Sequence, residues 1–263
     1  MPIARLKQFL KRSETVVNLY RSLRFWVSAS PADFFHSAKR DLILKVRPYT
    51  MLSWRELSGL YDGAMAAHQD GLKGAFVELG VCNGGSAGIL SSIAQKDSCR
   101  PVWLFDSWQG LPEPGSDDVT CNGEMGEAGI CLGSEQRVRE LLFSTLGSPQ
   151  ICNFLIKGWF EDTVPLWKNK IGPISLLHLD GDWYSSIKLC LDEMFDQVVD
   201  GGFIFIDDYG YWAGARKAVD EFLAARGLTV EFHKVDSTVV WFRKPASARR
   251  SFHAVTPACV NAG

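Results

Sequence analysis

Residues 75–90, AFVELGVCNGGSAGIL, decide the fold of this chain. An apolar run of strand length ends at Glu78, the chain turns through glycines from Gly80 onward, and a helical pattern begins near Ser86. Glycines at such a turn let the backbone approach a ligand closely, and the helix N-terminus offers free N–H groups. The spacing is ExGxxxGGS, which departs from the GxGxxG of a pyrophosphate cradle. A carboxylate at Glu78 suits a ligand that carries an ammonium group, and a purely structural turn is the alternative.

The sequence beyond this stretch continues the alternation of short apolar runs and helical patterns. Apolar runs of strand length recur at 101–106, 151–158, 173–180 and 201–208. This rhythm predicts an α/β fold with a doubly wound, mostly parallel sheet and helices on both faces. The last two runs, TVEFHKV and STVVWFRK, lie close together in sequence and predict a C-terminal antiparallel hairpin at one edge of the sheet.

These patterns divide the chain into three regions. Residues 1–74 are mostly helical in pattern, with interruptions at Pro31 and Pro48, and we interpret them as an N-terminal helical cap of the same domain. Residues 75–244 carry the sheet, and residues 245–263 lack periodicity, which predicts an irregular tail. A chain of 263 residues with 46% hydrophobic residues can bury one large core, so we expect a single domain.

Charge and cysteine usage limit the class of partner. The formal net charge of −2 and the lack of a long basic run argue against nucleic-acid binding, which needs clustered Lys and Arg. No apolar run reaches the ~18 residues of a membrane-spanning helix, and the first residues carry no signal-peptide pattern. Seven cysteines without a CxxC pair or a zinc spacing are typical of reduced thiols. We therefore expect a cytoplasmic protein that acts on small molecules.

A second acidic residue follows the second predicted strand. Asp106 ends the run PVWLFD, where a carboxylate can accept hydrogen bonds from ribose hydroxyls, and capping of the next turn is its alternative role. The segment from Trp108 to about Gly133 is long and irregular and follows the same strand. Loops of this length are uncommon unless functional. We interpret the segment as a lid over the substrate, and a mobile insertion is the alternative.

Two further apolar runs end in pairs of carboxylates. LLHLDGDWY carries Asp180 and Asp182, and FIFIDDYGYW carries Asp207 and Asp208. Carboxylates that converge at neighbouring strand ends raise each other's pKa unless a cation neutralises them. Oxygen ligands favour hard ions, so Mg²⁺ is the first choice, with Mn²⁺ or Ca²⁺ as alternatives. Helix capping by these aspartates is the competing interpretation.

The motifs along the chain resemble the macrocin-type sugar O-methyltransferases, a family of class I S-adenosylmethionine-dependent enzymes. The matching stretches lie between about Arg47 and Phe222 and read RPYTM, FVELGVCNGGSA, LFDSWQGLPEP, KGWFEDTVP, LDGDWY and GGFIFIDDYGYWAGARKAVDEF. The resemblance implies a Rossmann-like class I methyltransferase fold with a seven-stranded sheet, S-adenosylmethionine as donor, Mg²⁺ as cation and a sugar-containing acceptor. This chain departs from the family at Trp183, where leucine is usual, and at Ser185 and Ser186, where an acid often stands. These changes leave the acceptor open.

The resemblance also implies roles for single residues. The cation would be held by Asp180, Asp207 and Asp208, and Asp180 would also be the catalytic base. Forming an alkoxide from a sugar hydroxyl costs on the order of 7 kcal/mol at neutral pH, which a bound cation can largely offset. The residues implied in donor binding come from several motifs: Thr50, Met51, Glu78, Gly80, Ser86, Asp106, Ser107, Trp159 and Phe160.

Two other functions compete with methyl transfer. Asp180-Gly181-Asp182 also fits the DxD motif with which a metal-dependent glycosyltransferase holds a nucleotide-sugar diphosphate. That interpretation leaves ExGxxxGGS and Asp106 without a role. The non-enzymatic alternative is a scaffold or cofactor sensor, which would need no cluster of metal-binding carboxylates.

Several aromatic side chains near the carboxylates have two possible roles. His178 is either a second base or a hydrogen-bonded strand histidine. Tyr209, Tyr211 and Trp212 form either an aromatic floor for a sugar ring or ordinary packing against the next helix. A homodimer or higher homo-oligomer is the expected assembly because most soluble oligomers are symmetric homo-oligomers.

Overall fold

A computed structural model describes residues 14–246 of the chain. The strands are Ala75–Leu79 (β1), Val102–Asp106 (β2), Asn153–Lys157 (β3), Ile174–Leu179 (β4), Val198–Ile206 (β5), His233–Lys234 (β6) and Val240–Arg243 (β7). Within the described range they form one seven-stranded sheet in the order β3-β2-β1-β4-β5-β7-β6. Strands β1 to β5 are parallel, and β7 is antiparallel to both β5 and β6. The predicted class I methyltransferase fold with its C-terminal hairpin is confirmed.

Helices cover both faces of this sheet. They are Glu14–Val27 (α1), Pro31–Phe35 (α2), Ser37–Val46 (α3), Trp54–Gln69 (α4), Gly85–Ala94 (α5), Glu135–Arg139 (α6), Phe160–Ile171 (α7), Tyr184–Met194 (α8) and Ala213–Ala225 (α9). A π-helical turn, Glu140–Thr145, extends α6. Helix α7 was not predicted, because Pro165 lies inside it and proline normally interrupts a helix. Burial of Val164 and Ile171 outweighs that cost.

The two faces of the sheet bury separate apolar clusters. One cluster joins β1 and β4 to helices α7, α8 and α9, with Leu177 and Leu191 fully buried in it. The other cluster joins the sheet to α3, α4 and α5, with Leu57 and Ile89 fully buried. Because both faces are covered, the central strands are mostly apolar rather than alternating, which is why the sequence predicts them.

Helices α1 to α4 form the described part of the predicted cap. Helix α4 begins with a capping box in which Ser53 and Glu56 each satisfy the other's backbone N–H. The first 13 residues of the predicted cap and residues 247–263 of the predicted tail lie outside the described residues. Among the helices of residues 14–246, none has both the length and the apolar character that a membrane crossing requires.

One pair of cysteines lies within reach of a disulfide. The Cα atoms of Cys99 and Cys152 are 5.6 Å apart, a separation at which such a bond can form. The two residues are 53 positions apart, and the pairing of β2 with β3 brings them together. The expectation of reduced thiols stays a prediction for this pair. Cys82, Cys121, Cys131 and Cys190 are free thiols.

Candidate active site

A cavity of about 870 Å³ opens at the carboxyl ends of the parallel strands. Residues at the ends of β1 to β5 all contribute to its wall: Gly80, Asp106, Gly158, Asp180 and Asp207. Open α/β sheets bind ligands at this edge, where the strand order reverses around β1 and β4. The topology therefore brings together motifs that lie far apart in the sequence.

The turn after β1 lies directly against the end of β4. Gly80 has a φ of 100°, and a Cβ added there would overlap the carbonyl oxygen of Asp180. The amide of Asp180 donates to the carbonyl of Leu79 at 2.8 Å, and the amide of Gly80 donates to Phe105 at 2.9 Å. The glycine is thus required both for its conformation and for this close approach.

Asp106 holds the glycine turn in place from the neighbouring strand. Its Oδ2 accepts hydrogen bonds from the amides of Val81 and Cys82, both at 2.8 Å. Its Oδ1 accepts from the amide of Trp108 at 2.6 Å. Because each carboxylate oxygen has two lone pairs, Oδ1 keeps capacity for one further donor. Asp106 therefore shapes the turn and still lines the cavity.

Asp106→Ala is expected to weaken binding of S-adenosylmethionine by roughly 10- to 100-fold. The substitution removes a charged acceptor from three backbone amides, and hydrogen bonds to charged groups contribute about 1.5–3 kcal/mol each. Calorimetric titration with the donor measures the change. Asp117→Ala is the matched control, because Asp117 is exposed and paired with Lys217. Donor affinity that is unchanged in Asp106→Ala would contradict the role of this carboxylate.

Four aspartates converge on the floor of the cavity. Oxygens of Asp180, Asp182 and Asp208 lie within 4.8 Å of one another. A second group within 4.8 Å joins His178, Asp180 and Asp207, so Asp180 belongs to both. Burial and the neighbouring carboxylates raise the pKa of Asp180 and that of Asp208 well above the ordinary range of an aspartate. Burial also raises the pKa of Asp182 to about 6.

The donor set at this floor fits a hard divalent cation. Asp207 is 8% exposed, and its Oδ1 is buried without a hydrogen-bond partner. An unpaired buried carboxylate oxygen is costly unless a cation or a donor satisfies it. Burial raises the pKa of Asp207, because it disfavours the charged form of this carboxylate. A bound cation would relieve the mutual repulsion of all four carboxylates.

Glu78 lies behind the cavity rather than on its wall. Its side chain is fully buried, and its Oε1 lies 2.8 Å from Nδ1 of His178 on the adjacent strand. Burial lowers the pKa of His178, but the hydrogen bond and charge of Glu78 outweigh it and the pKa is raised. Oε1 of Glu78 thus meets a histidine, while Oε2 of Glu78 is buried without a hydrogen-bond partner. The predicted donor contact of Glu78 and the predicted role of His178 as a base stay predictions.

The other predicted donor contacts are distributed between two adjoining cavities. Met51, Ser107, Trp159 and Phe160 line the main cavity together with Gly80 and Asp106. Thr50 and Met51 line a second, adjoining cavity. Ser86 is buried and lines neither of these two cavities.

Only part of the predicted aromatic floor faces the cavity. Tyr211 and Trp212 line it, and Trp212 Nε1 donates to Oδ1 of Asp182 at 2.8 Å. Tyr209 instead donates its hydroxyl to Asp220 at 2.7 Å. Trp212 therefore orients the carboxylate of Asp182 and also forms part of the cavity wall.

The long segment between β2 and α6 is tied down over the cavity. Trp183, the departure from the family pattern, is fully buried and donates from Nε1 to the carbonyl of Pro112 at 2.9 Å. The carboxylate of Asp118 accepts from the amide of Tyr184 at 2.8 Å. Gly126 packs so closely on Trp183 that a side chain there would overlap the indole. Trp183 thus anchors the predicted lid to the start of α8.

Sequence reasoning missed a polar cluster at the opposite wall. Glu56 of α4 lines the cavity, forms an ion pair with Arg24 of α1 and accepts from Thr238 at 3.4 Å. Burial and the charge of Asp207 raise the pKa of Glu56 to about 8, although Arg24 opposes the shift. The Ser53-x-x-Glu56 capping pattern is the signal that the sequence offers at this place. It indicates where a helix starts, but it does not tell that Glu56 lies near the carboxylate cluster.

The chain is similar to known proteins. The family described as macrocin O-methyltransferase (TylF) matches residues 32–244. A tetracenomycin 4'-O-methyltransferase of Streptomyces olivaceus is 32% identical over 213 residues, which cover 79% of this chain and 80% of the relative. Mycinamicin III 3''-O-methyltransferase of Micromonospora griseorubida is 31% identical over 206 residues, covering 75% of this chain and 79% of the relative.

The likeness extends to a solved structure. The O-methyltransferase NovP superposes with a TM-score of 0.66 at 26% identity, covering 75% of this chain and 82% of NovP. The matched region includes every strand end that lines the cavity. The chain belongs to the macrocin O-methyltransferase (TylF) family and is an S-adenosylmethionine-dependent O-methyltransferase.

Proposed function

We propose that this enzyme methylates a sugar hydroxyl of a glycosylated small molecule and that it uses a divalent cation to do so. The observation that carries the proposal is the convergence of Asp180, Asp182 and Asp208 in the cavity that also holds Gly80 and Asp106. The names of two relatives support the acceptor class, since one acts on a rhamnosyl-tetracenomycin and the other on mycinamicin III.

The residues of the cavity divide into a donor side and an acceptor side. Asp106, Ser107, Gly80 and the Trp159–Phe160 pair form the side that would hold S-adenosylmethionine. Asp180, Asp207 and Asp208 form the side that would hold Mg²⁺ or a similar cation; Asp180 lies within 4.8 Å of an oxygen of Asp207 in one group and of Asp208 in the other. When bound, the cation lowers the pKa of a hydroxyl that it coordinates. Orientation of the two substrates in one cavity supplies the rest of the rate gain.

The reaction also needs an acceptor for the hydroxyl proton. We propose Asp180, which belongs to both carboxylate groups and adjoins the glycine turn of the donor side. Asp182 is the second candidate, because Trp212 holds its Oδ1 at the cavity wall. Comparison of the turnover of Asp182→Asn with that of Asp180→Asn, both at a saturating cation concentration, distinguishes the two candidate proton acceptors.

We propose that the cap and the core form a single domain. We also propose that the protein is cytoplasmic. Helices α3 and α4 bury Ile43 and Leu57 in the same cluster as the sheet, which supports one domain over the described part of the cap and the core. A homo-oligomer stays a prediction that sedimentation analysis would test. The glycosyltransferase alternative receives no support, since the matching family and its relatives transfer methyl groups.

Calorimetry with S-adenosylmethionine and with UDP-glucose, each with and without Mg²⁺, tests this function. We expect heat from S-adenosylmethionine and none from UDP-glucose. Methyl transfer is then measured on a rhamnosylated polyketide and on its aglycone after treatment with a chelator and readdition of Mg²⁺. Transfer to the glycoside alone, lost with the chelator, is the expected result. Full activity in the chelator would disprove the metal dependence, and transfer to the aglycone would disprove the sugar as acceptor.

A further inference from the structure

We propose that His178 is itself a ligand of the divalent cation, with Glu78 as the carboxylate that orients it. The centre would then combine one imidazole nitrogen with carboxylate oxygens and would not be an all-oxygen site. This inference rests on the proposed metal dependence, and it assigns a role to two buried residues that the methyl-transfer scheme leaves unused.

The positions of the ligand atoms carry the first step. A ring nitrogen of His178 and carboxylate oxygens of Asp180 and Asp207 all lie within 4.8 Å of one another. Atoms bound at about 2.0–2.3 Å to one ion lie at most roughly 4.5 Å apart. Only a small adjustment of side chains would therefore close these three groups around an ion. The group lies beside the one formed by Asp180, Asp182 and Asp208, with Asp180 shared.

The hydrogen bond between Glu78 and His178 carries the second step. Nδ1 of His178 lies 2.8 Å from Oε1 of Glu78, and the exposed fractions of the two side chains are 2% and 0%. Strand pairing fixes the contact, because Glu78 and His178 are register partners in β1 and β4. Histidines that bind metals almost always give their other ring nitrogen to such a partner. With Nδ1 engaged, Nε2 is the nitrogen left for a metal.

An unpaired oxygen carries the third step. Oδ1 of Asp207 is buried and has no hydrogen-bond partner, so a direct bond from His178 does not satisfy it. Asp207 is more than nine-tenths buried, which makes an unsatisfied carboxylate oxygen costly. A cation placed between His178, Asp180 and Asp207 satisfies this oxygen. In the buried Glu78–His178 pair, Glu78 would then orient a metal ligand in addition to packing against it.

A nitrogen ligand has a consequence for metal choice. Imidazole suits ions such as Ni²⁺ and Zn²⁺, whereas carboxylate oxygens suit Mg²⁺, Ca²⁺ and Mn²⁺. We expect the protein to bind Ni²⁺ at least about tenfold more tightly than Mg²⁺, and we expect His178→Gln to reduce this preference. Competition calorimetry on the full chain without substrates measures both values.

Pulsed electron paramagnetic resonance of the Mn²⁺-loaded full chain tests the ligand directly. We expect electron-spin-echo modulation from a directly bound ¹⁴N nucleus in the native protein. His178→Gln should still bind Mn²⁺ through the aspartates, about 10- to 100-fold more weakly, and should lack the nitrogen modulation. Glu78→Gln should keep the modulation and weaken Mn²⁺ binding about tenfold.

His68→Gln is the matched control, because His68 and Asp97 form another histidine–carboxylate pair, 2.5 Å apart and partly exposed. Modulation that disappears in His68→Gln would place the nitrogen there and overturn the inference. Bound Mn²⁺ without nitrogen modulation in the native protein would also overturn it while leaving metal dependence intact. Absence of Mn²⁺ binding would remove both proposals. If His178→Gln does not fold, the native spectrum still decides between a centre with a nitrogen ligand and an all-oxygen centre.

Discussion

Asp180→Asn is expected to reduce methyl transfer by about 10³- to 10⁴-fold while leaving donor affinity within about threefold of the native value. Loss of a general base alone costs typically 10²–10⁴-fold, and loss of a cation ligand adds to it. Asp180 is the one aspartate that belongs to both ligand groups at the cavity floor, among the described residues. Its replacement therefore affects both the cation and the proton acceptor.

The measurement combines turnover with binding. Formation of S-adenosylhomocysteine gives kcat, and calorimetric titration gives the affinity for S-adenosylmethionine. Asp192→Asn is the matched control, because Asp192 lies on the outer surface of α8 and pairs with Lys188 at 2.7 Å. The control should behave as the native enzyme. Near-native turnover of Asp180→Asn at saturating Mg²⁺ would show that Asp180 is neither base nor essential ligand.

Much of the candidate site could be predicted because parallel strands place their ends at one edge. Each of β1, β2, β4 and β5 is covered on both faces, so each shows as a mostly apolar run that stops at a glycine or an aspartate. The residues at those stops were Gly80, Asp106, Asp180 and Asp207, and all four line the cavity. Parallel pairing of neighbouring strands is enough to bring these strand ends to the same edge of the sheet.

What could not be predicted depends on register and on tertiary contacts. Glu78 looked like a donor contact, and only the pairing of β1 with β4 shows that it meets His178, which lies 100 positions away. The proximity of Cys99 to Cys152 likewise requires the register of β2 with β3. The sequence shows Trp183 as a departure from the family pattern. Its hydrogen bond to Pro112, which anchors the lid, depends on the fold of an irregular segment and could not be predicted.

Gly80→Ala is expected to destabilise the protein by more than about 3 kcal/mol and to abolish activity. A positive φ costs an alanine about 1–2 kcal/mol, and the added Cβ would also overlap the carbonyl oxygen of Asp180. Backbone atoms on both sides of this contact are held by strand pairing, so neither side can move away cheaply. Thermal unfolding and donor titration measure the two effects.

Gly71→Ala separates conformation from crowding. Gly71 has a φ of 67°, and a Cβ added there meets nothing within 4 Å, so only the conformational cost of about 1 kcal/mol applies. At roughly 2–4 °C per kcal/mol, Gly71→Ala should lower Tm by a few degrees, whereas Gly80→Ala should lower it at least about twice as far. Similar losses in both variants would show that β4 yields to the added methyl group. A much larger loss at Gly80 would show that the glycine turn and the backbone of Asp180 cannot separate to accept a methyl group, so that this contact holds the donor side against the carboxylate cluster.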